Sequence, residues 1–295
     1  MENLFTDPFN ILLIAAFIGF FMAFGIGAND VANSMGTSVG ARALTIKQAI
    51  LIAAVFEFLG AFLAGGEVTS TIRKGIVDPN LYTDQVNIFV IGMMSALLAG
   101  GTWLYIASLR GWPVSTTHSI VGAIIGFVLI TKGVDAVSWG KVSNIAMSWV
   151  TSPLFSGILA FSLYISAKKL ILDRANPGKA AITFIPFYSF LVAVVISLVT
   201  ARKGLKHVGI EWTENEVYLV TFIFSIIVAI GTSYFLRRNK EKINGVGGIE
   251  FAFGLLMIVS ASAMAFAHGS NDVANAIGPL AAIVSVVDTG TVGSK

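Results

Sequence analysis

The sequence predicts an all-α polytopic membrane protein built from inverted-topology repeats with broken or hairpin helices. Three observations carry that expectation. Hydrophobic residues make up 56% of the 295-residue chain and charged residues 12%, about half the share of charge in soluble domains. The apolar residues fall in runs close to the roughly 20 that a bilayer-crossing helix needs. A stretch from Met22 to Gly36, MAFGIGANDVANSMG, returns without a gap at Met264 to Gly278 as MAFAHGSNDVANAIG.

Taken in order, the apolar runs give eight passages. The first covers about Asn10 to Ala28 and is interrupted by Gly25 and Gly27, with helix resuming from Val31 to Val39. The second, Thr45 to Gly65, carries one acid, Glu57. The third, Val86 to Leu109, stops at Arg110-Gly111-Trp112-Pro113, because proline disfavours helix at the residue before it. Val114 to Ile130 makes the fourth. The fifth, Val142 to Leu172, is long enough to tilt or to break near Pro153. The sixth (181–200) and seventh (217–236) are plain apolar spans, and the eighth, Ile249 to Ala267, delivers the second copy of the motif. Gly122 and Gly126 form a small-xxx-small pair suited to close helix packing.

This divides the chain into a first repeat (1–172), connecting spans with basic loops (173–248) and the start of a second repeat (249–295). Basic residues cluster at Lys168, Lys169, Arg174 and Lys179 and again at Arg237, Arg238, Lys240 and Lys242. Two spans separate the clusters, so they face one side, and the excess of Lys and Arg makes it cytoplasmic. Counting back puts the N-terminus outside. The two motif copies then enter the membrane in opposite directions, as inverted repeats do. At the offset of the repeat, Lys295 aligns with Ala53, so counterparts of Glu57 and of Pro113 to His118 are missing from the second copy. The native protein is expected to continue beyond Lys295 and supply them.

Composition also excludes classes. The net charge of +3 is small and the basic residues sit in short loops, which reads as topology and not as a nucleic-acid surface. There is no cysteine, so disulfides and thiolate-bound metals are out. The first ten residues are acidic, the wrong start for a cleavable leader. No Ser–His–acid set, histidine metal cluster or nucleotide-phosphate loop can be placed, so no enzyme is expected. The lipid bilayer is the expected environment, and a homo-oligomer is left open.

The repeated motif offers Asn29, Asp30 and Asn33 in one copy and Asn271, Asp272 and Asn275 in the other. On a helix, positions three and four apart are neighbours, so each copy presents amide and carboxylate oxygens toward one point. Oxygen ligands of this kind suit a hard cation. An intramembrane carboxylate is costly and marks function by default. A bland polar helix interface is the competing account, and the duplication of Asp counts against it. His268 replaces Ile26 and stands outside the shared chemistry. Val114-Ser115-Thr116-Thr117-His118 follows the Gly-Trp-Pro break and opens a helix, where a hydroxyl caps the end and free N–H groups attract anions. Plain capping is the simpler alternative, but it does not need three hydroxyls in succession. Glu57 sits mid-span and requires compensation.

The motifs GANDVANS and GSNDVANA, with Gly36-Thr37-Ser38-Val39-Gly40, FEFLGA around Glu57, and Pro113 to His118, resemble the inorganic phosphate transporter (PiT) family. The resemblance implies a secondary transporter that imports phosphate by symport with sodium or protons across the cell membrane. It implies phosphate ligands at Ser115, Thr116, Thr117, Asn29 and Asn271, and a cation site at Asp30, Asn33, Asp272 and Asn275. Sodium is expected over a proton, because a proton needs only a titratable group and leaves the asparagines without a purpose. No cofactor is expected, and sodium is read as co-substrate. Sulfate transport, a channel and a non-transporting receptor are the alternatives.

Overall fold

The computed structural model describes residues 7–65, 78–204, 212–245 and 247–292. Glu67, Arg73, Lys74, His207 and Lys295 lie outside the described residues. The chain is helical: α1 (Pro8–Gly40), α2 (Ile46–Ala64), α3 (Val86–Arg110), α4 (Thr116–Lys132), α5 (Trp139–Ala167), α6 (Pro177–Val199), α7 (Glu214–Arg238), the short α8 (Lys240–Ile243) and α9 (Gly248–Thr289). Seven helices among the described residues are long and apolar enough to cross a membrane: α1, α2, α3, α5, α6, α7 and α9. At about 1.5 Å per residue, the 17-residue α4 reaches roughly 25 Å, a little short of the hydrocarbon thickness of about 30 Å. It is the one passage of the eight expected that is too short to span by length alone.

The ends of the helices are set by local chemistry. Gly111 closes α3 in the left-handed conformation (φ 66), which glycine adopts without a Cβ penalty. Ser115 caps α4, its hydroxyl accepting from the His118 N–H. Asn176 caps α6 with Pro177 in the first turn. Thr213 and Glu216 form a reciprocal capping box at the start of α7, satisfying two N–H groups that would otherwise lack partners.

The interruption expected at Gly25 and Gly27 does not occur. Helix α1 runs unbroken through Gly25 and Gly27, and α9 runs unbroken through the second motif. Helix α5 also passes through Pro153 without ending. The glycines have a different use. A Cβ on Gly25 would stand 3.1 Å from Leu104 Cβ, and one on Gly101 would stand 2.8 Å from the Phe21 ring and 3.2 Å from Met22 Cα. Gly25 and Gly101 therefore let α1 and α3 approach backbone to backbone, the role small residues play between membrane helices. The pair assigned that role from sequence, Gly122 and Gly126, faces open space: a Cβ on either would meet no atom within 4 Å.

The chain divides into two compact units. The first holds residues 7–33, 58–145 and 268–292. Its core gathers Met22, Leu97, Leu104, Ile120, Ile124 and Ile283, and Tyr82 is buried against Phe89 and Phe127 with its hydroxyl 2.6 Å from Thr131. Burial raises the Tyr82 hydroxyl above its ordinary pKa, and the Thr131 contact opposes the rise. The second unit holds residues 34–57 and 146–267, with α6 and α7 packed along each other and a core of Ile171, Ile185, Tyr188, Leu236 and Ile243. The boundary passes through α1 and α9, so each motif begins or ends close to it.

Candidate functional site

The polar residues of both motif copies, Asn29, Asp30 and Asn33 with Asn271, Asp272 and Asn275, and the start of α4 belong to the first unit. Because α1 continues as helix, Asp30 and Asn33 face one side, and Asn33 Nδ2 donates to Asp30 Oδ1 at 3.3 Å. Because α9 continues likewise, Asp272 and Asn275 share a face, and Asn275 Nδ2 lies 3.4 Å from Asp272 Oδ1. The hydroxyl helix meets this second pair. Thr116 Oγ1 donates to Asp272 Oδ1 at 3.4 Å, while Asn275 Nδ2 donates to Thr116 Oγ1 at 3.1 Å and to Thr117 Oγ1 at 3.3 Å. Asp272, Asn275 and Thr116 are all buried.

The two carboxylates come together. Ligand atoms of Asp30, Asp272 and His268 all lie within 4.8 Å of one another. His268 Nε2 is 3.5 Å from Asp272 Oδ2, one helical turn away. Two ionised carboxylates at that separation repel by about 3 to 4 kcal/mol even at an effective dielectric near 20. Both residues are more than nine-tenths buried, so water does not screen them well. A cation between them removes the repulsion and uses both charges.

Asn29 has a separate task. Its Nδ2 donates to Trp112 O at 3.0 Å and to Ser108 Oγ at 3.4 Å, and its Oδ1 accepts from Val114 N at 3.2 Å. Both ends of the amide are spent on the turn between α3 and α4. The first motif thereby fixes the turn that aims the hydroxyl helix. Asn271 is exposed and Ser115 is an exposed cap. Glu57 is half-buried on α2 and belongs to the second unit. His268 is the site residue that the sequence pattern alone passes over. Its signal is present all the same: it stands four positions before Asp272, the spacing at which helical side chains meet.

A multi-pass, all-helical membrane protein whose duplicated acid–amide motifs converge beside a hydroxyl-bearing helix end has the makings of a solute transporter. Residues 26–295 match the model of the phosphate transporter family. The chain belongs to that family. It is 50% identical over 284 residues to a Haemophilus influenzae protein that carries the provisional name of phosphate permease, covering 94% of this chain and 67% of that one. It is 39% identical to the chloroplastic inorganic phosphate transporter 2-1 of Arabidopsis thaliana, covering 92% of this chain and 50% of that one. A solved structure described as the sodium-dependent phosphate transporter superposes with a TM-score of 0.87 at 41% identity, covering 97% of this chain and 70% of that one.

Proposed function

We propose that this protein imports inorganic phosphate across the cell membrane by symport with sodium, with its N-terminus outside. The observation that carries the coupling is the position of Asp272. Its carboxylate lies against Thr116, which with Ser115, Thr117 and Asn271 is the proposed anion site. A phosphate held there meets a neighbouring negative charge, and a second one at Asp30. Sodium bound by Asp30, Asn33, Asp272 and Asn275 turns that repulsion into attraction. Each solute then raises the affinity of the other, as linkage requires. Asn29, a phosphate ligand by resemblance, contributes instead by holding the turn before α4.

Sodium is favoured because the set is mostly amide and hydroxyl oxygen, which replaces hydration water around a monovalent ion. The solved relative described as sodium-dependent supports the same choice. The test is uptake of labelled phosphate by proteoliposomes at fixed pH, with sodium replaced by choline and with excess sulfate as competitor. Uptake is expected to require sodium and to resist sulfate. Uptake that ignores sodium and follows only the pH gradient assigns the coupling to protons. Sodium-independent passive flux assigns a channel.

A further inference from the structure

We propose that Asp30, His268 and Asp272 form a binding site for a divalent transition cation, which excludes sodium from the same carboxylates and stops transport. The blocking consequence rests on the sodium reading above, whereas the binding itself does not.

The three ligand atoms lie within 4.8 Å of one another. Ligands about 2.1 Å from a transition metal stand roughly 3 to 4 Å apart around it, so a small side-chain rotation closes the set. His268 and Asp272 sit one turn apart on a continuous helix, with Nε2 and Oδ2 at 3.5 Å. That is the spacing by which helices present paired metal ligands. Asp30 completes the set from the other motif.

The carboxylates are already oriented. Asp272 Oδ1 is held by Thr116 and Asn275, while Oδ2 is the oxygen facing His268. Asp30 Oδ1 is held by Asn33. Outer contacts of this kind fix the direction in which a ligand points at its metal. The His268 and Asp272 side chains keep 19% and 11% exposure, so neither is fully closed off.

The choice of metal follows from the ligands. The first copy of the motif puts buried Ile26 where the second has His268. A site for sodium alone has no use for an imidazole, since hard cations take oxygen. Imidazole with carboxylates suits the divalent ions from manganese to zinc. Two carboxylates also match a double positive charge.

The test is a titration of the purified full chain in lipid nanodiscs with cobalt(II), followed by its visible absorption, in choline chloride and in sodium chloride. One saturable equivalent is expected. His268→Gln and Asp30→Asn are each expected to weaken it at least tenfold. His268→Ile, which installs the residue of the first copy, guards against a packing defect specific to Gln. Sodium is expected to raise the apparent Kd, and cobalt to inhibit phosphate uptake less in His268→Gln than in the unmodified chain, each against its own uninhibited rate. Cobalt binding within twofold of the unmodified chain in both His268 variants overturns the site, as does inhibition that both variants fail to relieve. His268-dependent binding that sodium does not affect supports the metal site and overturns the assignment of sodium to these carboxylates. Sodium-dependent phosphate uptake with His268-independent cobalt binding does the reverse.

Discussion

Asn275 and Thr116, 159 positions apart in sequence, are joined by a hydrogen bond of 3.1 Å from the amide nitrogen to the hydroxyl. Both are buried, at 1% and 4% exposure. This bond ties the second motif to the hydroxyl helix. Because Asn275 also reaches Thr117 and Asp272, one side chain links the proposed anion and cation sides of the site.

Asn275→Ala is therefore expected to cost about 1 to 3 kcal/mol, the penalty for leaving buried polar groups without partners. Thr116→Val removes the other end of the bond. The two changes made together are expected to cost less than their sum by about 0.5 to 3 kcal/mol, as for residues in one network. Unfolding of the four proteins in detergent measures the cycle, and strict additivity contradicts the link.

Asp30→Asn and Asp272→Asn each remove one of the two charges that converge within 4.8 Å. Each is expected to abolish sodium-stimulated phosphate uptake while the protein still folds and inserts, because the repulsion that the cation relieves is gone. Phosphate binding without sodium is expected to rise in Asp272→Asn, since the carboxylate beside Thr116 is then neutral. Wild-type sodium dependence in either variant would count against the assignment.

Asn29→Ala releases the turn before α4 by removing its contacts with Trp112 and Val114. Phosphate KM is expected to increase about tenfold or more, with a smaller effect on sodium affinity. Gly111→Ala acts on the same turn through the backbone, since φ is 66 there and a Cβ in left-handed geometry costs roughly 1 to 2 kcal/mol. Uptake measured over phosphate and sodium concentrations separates the two affinities.

Gly101→Val places atoms into Phe21 and the Met22 backbone. It is expected to destabilise by about 1 to 3 kcal/mol, as overpacking does. Gly122→Ala is the contrast. No atom lies within 4 Å of its Cβ position, so helix propensity decides, and the change is expected to be neutral or to stabilise by up to about 1 kcal/mol. Thermal unfolding of the two variants checks the sign of each.

The membrane class, the helix order and most helix ends follow from the sequence alone. Runs of apolar side chains without charge leave the backbone only helix as a way to satisfy itself in lipid, and Gly111, Ser115 and Thr213 act within a few residues of their own position. Asp30 and Asp272 are singled out by the sequence because a duplicated carboxylate stands out in an apolar chain, and the structure brings the two together. Tertiary structure decided what the glycines do and which side chains meet. Gly25 could break a helix or admit another one, and only the neighbour at Leu104 and Gly101 selects the second. Equivalent positions of the two copies meet different surroundings: Asn29 holds a backbone turn while its counterpart Asn271 is exposed, and Asn33 reaches Asp30 while its counterpart Asn275 also reaches two threonines. His268 gains its meaning from Asp30, 238 positions away in the chain and brought close by packing. Hydropathy and helical period act over one or two turns, whereas a contact between distant residues depends on how whole helices pack.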